Sequence, residues 1–155
     1  MIQLVLVRHA AAEHGAPGTD DHDRPLSGRG RRDAADVAKR VLRSGVRSEV
    51  VLASTALRAR DTAEAFATAF GAAVDAQEEL YGAPADVLLA AAQDNGAAEI
   101  MVVAHDPGMS SLVSGLADDD VVMPTGAVAI FTWHDGGWDD VGVVPPDDYT
   151  LIIPS

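Results

Sequence analysis

The chain opens on Ile2-Gln3-Leu4-Val5-Leu6-Val7-Arg8-His9, a nearly unbroken run of β-favouring apolar residues that stops at a cation and an imidazole. A strand wetted on one face alternates apolar and polar residues, whereas one covered on both faces reads as a continuous apolar run. The stretch therefore predicts a buried strand of a parallel sheet with helices above and below. Two further runs have the same character: Val50-Val51-Leu52-Ala53, broken at Ser54, and Ile100-Met101-Val102-Val103-Ala104, ending at His105. Between them lie helical patterns. Ser27 is an N-cap for a helix to about Arg43, with Ala34, Val37, Ala38, Val41 and Leu42 on one face and Gly45 at its end. A helix after Ser54 carries Leu57, Ala59, Ala63, Phe66 and Phe70 and closes at Gly71. After a brief extended piece around Val74, Pro84 opens a third helix that Asn95 and Gly96 end, and Pro107 opens a fourth toward Leu116. Residues 127–133 and 138–144, separated by His134-Asp135-Gly136-Gly137, predict an antiparallel hairpin. The sum is an α/β protein: a three-layer α/β/α sandwich with a mainly parallel sheet and an antiparallel edge hairpin, in one domain over residues 1–155.

Charge and composition narrow the function. The 155 residues carry 11 Lys and Arg against 24 Asp and Glu, a formal net charge of -13. Such a surface repels phosphate backbones and anionic lipid, which argues against nucleic acid and membranes as partners. With no cysteine there is no disulfide framework, thiol nucleophile, thiolate zinc site or cysteine-ligated cluster. The apolar start is interrupted by Arg8 and has no cationic segment before it, so it reads as neither a signal peptide nor a spanning helix, and the expected address is the cytoplasm.

In parallel α/β sheets the ligand lies beyond the carboxyl ends of the strands. Here those ends deliver Arg8 and His9 from the first strand, Ser54 and then Arg58 from the second, and His105 from the third. Two arginines and two histidines in one crevice of an acidic protein call for an anion, and guanidinium forks match phosphate oxygens. No serine stands in a Gly-x-Ser-x-Gly setting, which leaves imidazole as the nucleophile. A neutral histidine attacks phosphorus directly and splits one displacement into two, and neighbouring arginines lower its pKa and balance the charge in flight.

Five stretches, in order, resemble the motifs of the histidine phosphatase (phosphoglycerate mutase-like) superfamily. Leu6-Val7-Arg8-His9-Ala10 is similar to its Arg-His-Gly signature, and Arg24-Pro25-Leu26-Ser27, with Gly30, to its Arg-Pro-Leu segment. Ser54, Arg58, Ala59, Thr62 and Ala63 match the Ser-x-x-x-Arg-Ala-x-x-Thr-Ala motif. Glu79-Leu80-Tyr81-Gly82 resembles the acidic Glu-Leu segment and Val103-Ala104-His105-Asp106-Pro107-Gly108 the second-histidine motif. The short chain, with Thr125 and Gly126 before the last strands, looks most like the small SixA-type phosphohistidine phosphatases. The resemblance implies a phosphoglycerate mutase-like fold and a metal-independent hydrolase without cofactor. In it His9 becomes phosphorylated, Arg8 and Arg58 clamp the phosphate, and His105 is a further donor. It implies Glu79, or its neighbour Glu78, as proton donor to the leaving group. Its substrate would be a phosphohistidine on a protein; a small phosphomonoester, a phosphomutase reaction and phosphate binding without hydrolysis are the alternatives. Ala10 departs from the signature, where glycine allows backbone angles that a Cβ resists.

Other polar residues have plainer readings. Arg24 is expected to brace the long loop of residues 12–27, while Arg29, Arg31 and Arg32 read as a solvated helix start. The acidic runs Asp20-Asp21-His22-Asp23 and Asp118-Asp119-Asp120 lack cation-binding turn geometry, His14, His22 and His134 lack ligand spacing, and Trp133 and Trp138 read as packing residues.

Overall fold

The computed structural model describes residues 1–155. Six strands, β1 (Ile2–Arg8), β2 (Val50–Ser54), β3 (Ala73–Gln77), β4 (Glu99–Ala104), β5 (Val128–Trp133) and β6 (Asp148–Ile152), form one sheet in the order β3-β2-β4-β1-β5-β6. The first four run parallel, and β5 lies antiparallel between β1 and β6. Four helices, α1 (Gly28–Arg43), α2 (Leu57–Phe70), α3 (Ala85–Asn95) and α4 (Gly108–Ala117), cover its faces. No helix is long and apolar enough to cross a membrane.

The opening run is apolar throughout because both of its faces are covered. Leu4 and Leu6 pack with Leu88 of α3 and Met109 and Leu112 of α4. Val5 and Val7 point the other way, onto Val37 and Val41 of α1 and Phe66 of α2. All four are at most 1% exposed, and each such side chain stabilises the fold by roughly 1.5–3 kcal/mol. The helix ends follow local chemistry. Ser27 Oγ accepts the Gly30 amide at 3.0 Å and starts α1, while Gly71 and Gly96 adopt left-handed angles that end α2 and α3.

The edge hairpin exists, but its second arm is β6, not residues 138–144. In that stretch Trp138–Asp140 forms a 3-10 turn, and the Val143 and Val144 amides both donate to Asp140 O, which curls the chain out of the sheet. The two tryptophans hold the detour, Trp138 Nε1 donating to Ala97 O and Trp133 Nε1 to Val144 O, each at 2.9 Å. Gly142 at φ +92° and the donorless Pro145 and Pro146 complete the interruption. The valines that suggested a strand thus serve a loop, with Val141 buried in the core and Val143 exposed.

Strand register positions the chemistry. Arg8 pairs with Ala104 across β1 and β4, and Ala53 with Val103 across β2 and β4, so His9, Ser54 and His105 emerge together at one edge of the sheet.

Candidate active site

His9 is held by the backbone on two sides: its amide donates to Ala104 O at 3.0 Å, and its carbonyl accepts from the Gly126 amide at 2.9 Å. Its Nδ1 lies 2.8 Å from Ala10 O. A carbonyl only accepts, so the proton sits on Nδ1 and Nε2 keeps its lone pair. Burial lowers the pKa of His9 from 6.5 to about 4; the Ala10 hydrogen bond opposes the shift, and Arg58, Arg8 and Arg24 add to it. The ring is therefore neutral at pH 7, with a nitrogen available for attack. Ala10 is fully buried without a left-handed backbone, so its Cβ is accommodated. Its amide donates to Thr62 Oγ1 at 3.1 Å, and that hydroxyl donates to Arg58 O at 2.8 Å, tying the end of β1 to α2.

Arg8 is aimed by a ring of polar contacts. Its Nη1 donates to Met123 O at 2.7 Å and lies 3.5 Å from Asp106 Oδ2. Ser110 Oγ closes the ring, donating to Asp106 Oδ2 at 2.7 Å and accepting the Met123 amide at 2.9 Å. Arg8 Nε is buried and unpaired. Arg58, only 8% exposed at the start of α2, donates through Nη1 to Asp21 O at 2.7 Å and through Nη2 to Asp21 Oδ2 at 3.0 Å.

His105 completes the group. Its ring centroid lies 5.1 Å from that of His9 and 5.6 Å from that of Tyr81, edge to face with both. Nε2 lies 2.7 Å from Ser54 Oγ, and Nδ1 is buried without a partner. Burial first, then His9 and Arg58, push its pKa down to about 3. Arg8, His9, Arg58 and His105, singled out from the sequence, are thus brought to one edge of the sheet.

Glu79 is not brought there. It is exposed in a short 3-10 turn, Glu78–Leu80, and lines a cavity with Gln77, Val87, Asp94 and Asn95 against α3. Leu80, at the end of this turn, is buried in the core, while Glu78 and Glu79 are both exposed. In their place come Asp21, Tyr81 and His22, to which their sequence context assigns no role at the site. Asp21 accepts from Arg58, from Arg24 Nη1 at 2.9 Å and from the Tyr81 hydroxyl, and these donors hold its carboxyl well below the usual range. The same contact raises the pKa of Tyr81. His22 Nε2 lies 2.8 Å from Thr55 Oγ1, and its ring packs edge to face on Tyr81 at 5.0 Å. Arg24 also reaches Glu13 O at 2.8 Å, bracing the long loop as expected. The available signal was the closeness of Asp21 and His22 to the Arg24-Pro25-Leu26 segment, since a braced loop brings its neighbours with it.

Five surface cavities, of roughly 150 to 410 Å³, are lined by residues other than Arg8, His9, Arg58 and His105.

Comparison with known proteins follows the same lines. The sequence family described as histidine phosphatase superfamily (branch 1) matches residues 4–82. An uncharacterised protein of Mycobacterium tuberculosis is 34% identical over 149 residues, covering 87% of this chain and 91% of the relative. Among solved structures, a candidate phosphohistidine phosphatase SixA from Nakamurella multipartitia superposes with a TM-score of 0.83 at 31% identity, over 99% of this chain and 96% of that one. A candidate of the same description from Agrobacterium tumefaciens gives 0.77 at 29% identity, over 84% and 91%.

Proposed function

The chain belongs to the histidine phosphatase superfamily, and from that premise we propose that residues 1–155 act as one phosphatase domain that passes a phosphoryl group to His9 and then to water, with phosphohistidine on a protein as substrate. The observation that carries the reaction is the 2.8 Å contact between His9 Nδ1 and the Ala10 carbonyl, which assigns the proton to Nδ1 and leaves Nε2 unprotonated on a ring beside His105 that feels the charges of Arg8 and Arg58. His9 Nε2 forms a bond to phosphorus while the bond from phosphorus to the substrate nitrogen breaks, and the departing imidazole takes up a proton. Water then attacks the phosphohistidine, releasing inorganic phosphate and restoring His9. Arg8, Arg58 and His105 meet the charge on the transferring oxygens.

Two features support the choice of substrate. The short connection between Arg58 and His105 leaves no room for a large insertion to cap the crevice, which suits a side chain presented on a protein surface. Glu79 stands outside that crevice, and Asp21 is locked as a carboxylate by its donors, so neither offers a proton to a departing alkoxide. An imidazole leaving group asks less of the enzyme than an alkoxide, because its own nitrogen is readily protonated. The relatives described as candidate phosphohistidine phosphatases agree with this choice.

A hydrolysis panel tests it: a phosphohistidine peptide, phosphoserine, phosphothreonine and phosphotyrosine peptides, and small phosphate esters. The phosphohistidine peptide should have the highest kcat/KM, and a preference for a small ester would overturn the substrate assignment. Quenching turnover of a chromogenic phosphomonoester in alkali should trap acid-labile phosphate on His9. Robust turnover by His9→Ala would overturn the nucleophile.

A further inference from the structure

We infer that Ser54 is a positioning residue that fixes His105 in the tautomer with its proton on Nδ1, so that the ring presents an N–H donor to the phosphoryl group. The inference rests on the reading of the crevice as a phosphoryl-transfer site, and it follows from counting hydrogens. Ser54 is fully buried at the end of β2, where its Oγ accepts the Ala56 amide at 3.2 Å and lies 2.7 Å from His105 Nε2. A serine hydroxyl has one hydrogen to give. Were the proton on Nε2, Ser54 would accept twice and its own hydrogen would face no acceptor in a place closed to water. Nδ1 would then be a buried lone pair with no donor, leaving two groups unsatisfied.

With the proton on Nδ1, the serine hydrogen goes to Nε2 and only one group is left over, the Nδ1–H itself. That atom is the one ring nitrogen of His105 that is buried with no partner. An orphaned buried donor is rare in proteins and is explained where a ligand completes it. The ring has little freedom to find another partner, because His9 and Tyr81 pack against it edge to face. Ser54 itself touches no substrate here; it acts through the imidazole.

Long-range proton–nitrogen correlation NMR on the free protein at neutral pH reads which nitrogen of His105 is protonated. The expected result is Nδ1–H in the wild type, lost in Ser54→Ala, where the Nε2–H form favoured by unconstrained imidazole takes over. Nε2–H in the wild type, or Nδ1–H unchanged in Ser54→Ala, would overturn the inference; the wild-type measurement stands even if the variant fails to fold. Adding inorganic phosphate should shift the Nδ1–H resonance, and its failure to move at saturation would overturn the donor role. With a chromogenic phosphomonoester, Ser54→Ala should lose roughly 10- to 100-fold in kcat/KM, the span of one hydrogen bond to a charged group. His105→Asn, whose amide nitrogen can occupy the place of Nδ1, should retain more activity than His105→Gln, and the reverse order would count against it. Because the tautomer is read without turnover, an inactive protein that still shows a Ser54-dependent Nδ1–H would overturn the phosphatase reading and leave this one standing.

Discussion

At the scale of single residues, the crevice keeps two histidines neutral. His9 and His105 have pKa values lowered from 6.5 to about 4 and about 3, in both cases mainly by burial. An NMR pH titration should therefore find His9 uncharged down to about pH 4, and a midpoint near 6.5 would contradict the geometry. The same shifts have a sign for stability. Between 6.5 and about 4 the unfolded chain binds protons that the native histidines refuse, so stability should fall as pH drops through that window, which urea titrations at several pH values would show. Arg58 supplies a fork, not merely a charge. Arg58→Lys should lower kcat/KM on the order of 100-fold while the fold survives, a loss typical of removing one preorganised donor. The sequence makes Arg8, His9, Arg58 and His105 legible because each sits at or just after the end of an apolar run. It hides Asp21 and Tyr81, whose roles depend on how a long loop folds back onto α2, and nothing in their local spacing encodes that.

At the scale of elements, the four helices and the three apolar strands follow from periodicity and caps, whereas the second hairpin arm does not. Residues 138–144 contain three valines, but two tryptophan indoles and a buried Val141 fasten that segment to the core as a loop. Side-chain anchoring over long sequence distances thus overrides local β preference. A close backbone approach is similarly invisible from composition. Gly30 packs its Cα so tightly against Ala11, where the chain enters the loop of residues 12–27, that a Cβ would overlap the Ala11 carbonyl. Gly30→Ala should push that loop off α1, costing roughly 1–3 kcal/mol in urea unfolding and lowering activity through Arg24 and Asp21. Unchanged stability and activity in this variant would mean that the loop does not depend on the helix.

At the scale of the whole molecule, a net charge of -13 surrounds a crevice built on Arg8, Arg58 and Arg24. The acidic field should oppose highly charged substrates before they reach the arginines, so KM for polyanionic phosphates should fall as salt screens it. No salt effect across substrates of increasing charge would show that the outer surface plays no part in selection. The position of β1 has a further consequence, for the order of events during synthesis. The strand that carries the proposed nucleophile precedes every other strand of the sheet, yet its neighbours are Glu99–Ala104 and Val128–Trp133. A nascent chain that has emerged only through Ala73–Gln77 holds His9 without either of the strands that flank β1. The nascent chain must keep an apolar edge unpaired until β4 and β5 emerge, a hazard for aggregation, and the proposed site is complete only once both have joined the sheet.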